Sequence, residues 1–303
     1  MIEYLQGFFG LLDIFEIYDN LEAVFSPSNI FLITLGLIWI LIAVIQDFRK
    51  REVANWWNFS LIVFVLAFRA FLSVSQMNFM YFVWGIAGLI LGFLISELFY
   101  YSRLFAGGDS KLLLAVFTIL PLSLDWKLNL FFGIMFIILL IFAGGIYGLI
   151  YSLVLWIFNF RKMKKEFGKQ FRVYKKLVFG IMIISLIAFF VFYYIDFFIG
   201  ALIFGLLFFT PLLLIFAKSL ENACMNKLVK TEDLTVGDWL VSPVTLGKDK
   251  VRPNWEGLSE KELRKIQKLG KNKKILVKYG IPFTPAFLIA FAVLVYIVHK
   301  LII

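Results

Sequence analysis

Histidine and cysteine are almost missing from this chain, with one of each, His299 and Cys224, in 303 residues. A single Cys excludes an intrachain disulfide framework and any Cys-paired zinc site. A single His near the end of an apolar stretch cannot build a histidine metal cluster, so no metal and no cofactor is expected. Lys and Arg are absent from residues 1–27, which carry five acids: Glu3, Asp13, Glu16, Asp19 and Glu22. A secretory leader opens on basic residues, so none is expected. Leu5–Tyr18 is apolar but too short to span a bilayer, and it reads as an interfacial helix. Any chemistry must come from carboxylates, hydroxyls, Lys, Arg or backbone.

What is abundant is apolar surface. Hydrophobic residues make up 62% of the chain, 37 of them Phe, and the mean hydropathy is +0.91. Soluble domains average about 45–50% apolar residues, so the excess needs a bilayer rather than a core. Apolar stretches place spans at 28–47, 56–74, 79–102, 109–122, 129–159, 177–194, 196–218 and 281–301. About twenty helical residues cross a hydrocarbon core of about 30 Å. The expected fold is an all-α polytopic membrane bundle of about eight transmembrane helices with a small cytoplasmic α+β subdomain. The expected division is 1–27 (acidic interfacial segment), 28–218 (bundle), 219–280 (cytoplasmic subdomain) and 281–303 (final span). In the polar segment, Ser259 and Glu262 fit a capping box that opens a helix ended by Gly270, and Leu234–Val241 and Ile275–Tyr279 fit strands around a Gly237-Asp238 turn.

The net charge of +10 would point to nucleic acid only if it formed one soluble face. Here the basic residues fall between spans, where they report topology, and no nucleic-acid partner is expected. If the end of the first span faces the cytoplasm, that side receives 27 Lys and Arg and the other side three, Arg69, Lys127 and Lys300. The positive-inside rule then places the chain as a multi-pass cell-membrane protein with both termini outside. The basic run 161–176 reads as a topogenic, lipid-contacting loop.

Two aspartates stand out. Asp47 ends the first span, in Gln46-Asp47-Phe48-Arg49-Lys50-Arg51. Asp109 opens the fourth, in Ala106-Gly107-Gly108-Asp109-Ser110-Lys111. The first span runs inward and the fourth outward, so both carboxylates fall at the cytoplasmic face. Two close carboxylates share a proton; the ionised one takes a proton from water while the protonated one polarises a carbonyl, which is what amide hydrolysis needs. Helix polarity favours the anion on Asp109, at a helix N-terminus, and makes Asp47 the proton carrier. Gly107 and Gly108 allow positive φ and close approach of a peptide backbone. On these residues alone, the alternative is a tight turn with Asp109 as its N-cap.

The same residues resemble the archaeal prepilin peptidases, which include the preflagellin (archaellin) peptidases, membrane aspartic proteases with a G-x-G-D motif. Asp47 is followed by a basic stretch and Ala54-Asn55, where the family has Pro-Asn. Asp109 lies in Ala-Gly-Gly-Asp-Ser-Lys, where the family has G-x-G-D-x-K. The run Lys278–Phe287 is similar to the start of the family's last span. The resemblance implies an endopeptidase with catalytic Asp47 and Asp109, supported at the substrate or loop by Gly107, Gly108, Lys111 and Asn55. It implies cleavage of the basic leader of type IV pilin-like or archaellin precursors at the cytoplasmic face, with the bilayer as the other partner. Glu52 and Glu97 are candidates for leader contact. Two other readings stay open: a presenilin-like or signal-peptide-peptidase-like intramembrane protease, for which Pro285-Ala286-Phe287 is a faint echo, and a non-enzymatic scaffold or transporter.

Overall fold

The computed structural model describes residues 24–193, 196–246, 249–270 and 273–302. The acidic segment and its apolar Leu5–Tyr18 stretch lie outside the described residues. The chain is an all-α polytopic membrane protein with a small strand-bearing part. Its helices are α1 (Pro27–Lys50), α2 (Asn55–Ser75), α3 (Met80–Tyr101), α4 (Gly107–Ile119), α5 (Trp126–Phe158), α6 (Phe160–Tyr193), α7 (Phe197–Leu220), α8 (Glu260–Leu269) and α9 (Thr284–Ile302). Seven of them, all except α4 and α8, are long and apolar enough to cross a membrane. The expected fourth span is the exception: α4 has 13 residues, which at 1.5 Å each cover about 20 Å of a core about 30 Å thick.

The chain forms two compact units, residues 1–149 with 281–303, and residues 150–280. In the first, an aromatic core joins α4, α5 and α9. Phe117, Phe132, Phe136, Phe287 and Phe291 are all at most 1% exposed. Phe136 meets Phe117 at 6.1 Å and Phe291 at 6.3 Å, both edge to face, the geometry that aromatic quadrupoles prefer. Against α4 lies α3, along a stripe of small residues. A Cβ on Gly88 would sit 2.4 Å from the Phe117 carbonyl oxygen, so only glycine lets these backbones cross so closely. α1 and α2 are joined by Trp39 and Trp57, stacked at 4.6 Å, each indole donating to the other's carbonyl oxygen.

Because α4 stops short, the backbone after it must find partners where water is scarce. Arg69 of α2, 2% exposed, supplies them: its guanidinium donates to the carbonyls of Ile119 (3.0 Å), Pro121 and Tyr81. Asn129 and Ser123 close the same region, the Asn129 amide donating to the Ser123 carbonyl (2.8 Å) and accepting from its N–H (3.0 Å). Arg69, counted from sequence among the three outside charges, is therefore a buried clamp on the end of α4.

The second unit corrects another expectation. Residues 161–176 are not a loop but the first half of the continuous helix α6. Lys, Arg, Gln, Glu and Met are good helix formers, and no Pro interrupts them. Phe167 and Phe171, one turn apart, stack at 6.4 Å and 16°. After α7, one turn of π-helix (Glu221–Met225) leads into β1 (Asn226–Lys230). Antiparallel β5 (Lys274–Lys278) lies between β1 and β2 (Trp239–Leu240), and β3 (Val244–Leu246) pairs with β4 (Asp249–Val251). Gly237 has φ +92°, in the turn expected there. The Ser259–Glu262 capping box forms and Gly270 ends α8. The alternating burial of β5 puts Ile275 and Val277 into a small core with Leu240 and the fully buried Ile266.

Candidate active site

Three helix ends build the site in the first unit: the C-terminus of α1 and the N-termini of α4 and α9. α1 ends because Arg51 turns into the left-handed region (φ 57°), its N–H returning to the Asp47 carbonyl. This leaves Asp47 in the last turn of α1, with 7% of its surface exposed. Gln46 steadies the connection that follows, its side-chain oxygen accepting the N–H of Ala54 at 3.0 Å.

Asp109 occupies the third position of α4, not the cap, which is Ala106. An acidic residue in the first turn is favoured by the helix dipole. The two carboxyl groups interact electrostatically across the α1–α4 contact. Thus two acidic groups more than sixty residues apart in sequence, on separate helices, lie within electrostatic range of each other.

Gly107 and Gly108 do not serve as expected. Both are helical, the first two residues of α4, and neither has positive φ. An added Cβ would meet nothing closer than 3.8 Å, from Tyr100 on Gly107 and from the Val53 N on Gly108, so packing within the chain does not demand glycine at either. Each position has room for a small side chain in ordinary van der Waals contact. Asn55 and Lys111 come together, but with each other: the Lys111 ammonium donates to the Asn55 side-chain oxygen at 2.7 Å and ties the start of α2 to α4.

Two residues escaped the sequence reading. Thr284, the first residue of α9 and fully buried, donates to Asp47 Oδ2 twice, from its hydroxyl at 2.9 Å and its N–H at 3.2 Å. A Thr beside Pro285 at the opening of an apolar run was the only available signal. Asn58 of α2, 1% exposed, donates to the Gly108 carbonyl at 3.4 Å, and among the described residues its side-chain oxygen has no hydrogen-bond partner. Its signal was a polar residue inside an apolar span. Phe105 packs at 5.2 Å from Phe283 and 5.8 Å from Phe287, forming an apolar wall by the start of α9. A cavity of about 260 Å³ lies at the other end of α4, lined by Trp84, Gly88, Pro121 and Trp126, and it touches neither aspartate. Among the described residues, no three His, Cys, Asp or Glu side chains gather to hold a metal ion.

Residues 34–153, which include both aspartates, match the type IV leader peptidase family. The preflagellin peptidase of Methanococcus maripaludis is 26% identical over 146 residues, 45% of this chain and 63% of the relative. That of Methanococcus voltae is 33% identical over 87 residues, 29% of this chain and 37% of the relative. The chain thus spans less than two thirds of the length of these relatives. No solved structure matches it. The resemblance to archaeal preflagellin and prepilin peptidases is shown over the aspartate-bearing segment; Thr284 and the strand-bearing part lie beyond the family match.

Proposed function

We propose that this chain is a membrane aspartic endopeptidase that removes the basic leader of type IV pilin-like or archaellin precursors at the cytoplasmic face of the membrane. The observation that carries this reading is the electrostatic meeting of Asp47 and Asp109 from separate helices, within a segment that matches the leader peptidase family.

Two donors engage Asp47 Oδ2, so that oxygen accepts hydrogen bonds rather than carrying the proton. The shared proton then lies between Asp47 Oδ1 and the Asp109 carboxyl. In the reaction the ionised carboxylate takes a proton from water, and the resulting hydroxide bonds to the scissile carbonyl carbon. The protonated partner gives its proton to the carbonyl oxygen. The tetrahedral intermediate collapses: one hydroxyl returns its proton to the second carboxylate as the C=O bond re-forms, the C–N bond breaks, and the leaving amine takes the proton that the first carboxylate had received. Gly107 and Gly108 carry no side chain that would block an extended peptide backbone approaching Asp109. Glu52 and Glu97 lie in the same unit and suit a basic leader, whereas the Lys- and Arg-rich second unit would repel one.

The test is cleavage of precursor pilins and archaellins by membranes carrying the chain, wild type beside Asp47→Asn and Asp109→Asn. Cleavage by wild type and its loss in both variants are expected. Unchanged cleavage in either variant overturns the dyad. Failure of wild type to cleave any precursor overturns the leader-peptidase reading.

A further inference from the structure

We infer that Thr284 is a positioning residue for the reaction: its hydroxyl and N–H fix Asp47 Oδ2 and so aim Oδ1 at Asp109. The inference rests on the peptidase reading proposed above, but its geometry stands independently. Asp47 is buried, and among the described residues no Lys or Arg pairs with it. A buried carboxylate without a cation needs donors, and Thr284 provides two on one oxygen. These donors come from a residue 237 positions away, so they persist only while α9 docks against α1.

The placement is rigid for reasons visible in the sequence. Thr284 is β-branched, with few χ1 states. Pro285 follows it, restricting its backbone and serving as an early helix residue that needs no N–H. Pro282 precedes the pair, and Phe283 packs against Phe105 and Phe287. A Thr acting only as a helix cap would accept from the next turn's amides with its hydroxyl. Here the hydroxyl instead donates, to a carboxylate on another helix. The start of α9 therefore presents an amide and a hydroxyl together to the anion, at the end of a helix whose dipole favours negative charge.

Thr284→Val keeps shape and N–H but deletes the hydroxyl donor; Thr284→Ser restores it. The expected result is a fall in kcat of about 10- to 100-fold in Thr284→Val, the range for one hydrogen bond to a charged group, with KM within about twofold. Thr284→Ser is expected within about threefold of wild type. The carboxylate stretching band of Asp47, identified by its loss in Asp47→Asn, should move in Thr284→Val and return in Thr284→Ser. Equal loss in both variants, or an unmoved band and unchanged kcat in Thr284→Val, overturns the positioning role. If the band moves but Asp47→Asn still cleaves, Thr284 holds Asp47 without a part in the reaction, and the dyad reading fails with the positioning role.

Discussion

Residues 150–280 carry 22 Lys and Arg against 10 Asp and Glu, whereas the unit made of residues 1–149 and 281–303 carries eight against ten. The basic unit carries surface ion pairs within one helix, Glu260–Arg264 and Glu166–Lys169, each about one turn apart. Such pairs contribute little, about 0–1 kcal/mol. The other unit buries Asp47 and Arg69, each held by named donors or acceptors. Burying a charge costs several kcal/mol unless partners repay it. A fold retains such groups where they do something: Arg69 closes an unfinished helix end, and Asp47 meets a second carboxylate. The proposed chemistry falls in the unit with fewer charges.

Four measurements would break or sharpen that contrast. The largest effect is expected at the centre itself. Asp109→Asn should lower precursor cleavage by about 10³-fold or more, because general acid–base action is typically worth about 10²–10⁴-fold. Lys162→Gln with Lys165→Gln, in the exposed basic half of α6, should leave it within about twofold; an equal loss would erase the distinction between the units.

Next comes Arg69. Replacing it with Leu strands the buried carbonyls of Ile119 and Pro121 and should destabilise the bundle by about 3 kcal/mol, read as a lowered Tm in detergent. Gly88→Ala should follow at about 1–3 kcal/mol, since the new methyl meets the Phe117 carbonyl at 2.4 Å. Amide exchange should place both losses in α3 and α4.

The smallest effect belongs to the basic unit. Ser259→Ala removes one side of the capping box and should cost α8 about 1 kcal/mol. The Ser259 hydroxyl and N–H hold the Glu262 carboxyl below its ordinary 4.5. The stability this brings is present above the ordinary carboxylate range and is lost as pH falls through the lowered value of Glu262. Exchange in α8 should therefore quicken in acid for wild type, with a weaker pH dependence in Ser259→Ala.

Spans were legible because hydropathy over about twenty residues is a local property. The capping box and the helix end at Gly270 were legible for the same reason: their partners lie within four residues. The 161–176 helix was missed because its charges spoke for topology, while the Phe167–Phe171 spacing that marks a helix is weak among them. Gly107 and Gly108 were assigned a backbone role that their helical φ does not require. The pairing of Lys111 with Asn55 rather than with a carboxylate depended on the approach of α2 to α4, which no motif encodes.

The sequence by itself determined the membrane class, the two aspartates and their shared order with a peptidase family, because hydropathy and short motifs are written in contiguous residues. Only the tertiary structure decided that Thr284 holds Asp47, that Arg69 completes α4, and that Asp109 sits in the first turn rather than at the cap. Those outcomes depend on which helix ends dock together. A buried polar group must take its partner from whatever element packing brings within 3 Å, however distant in the chain.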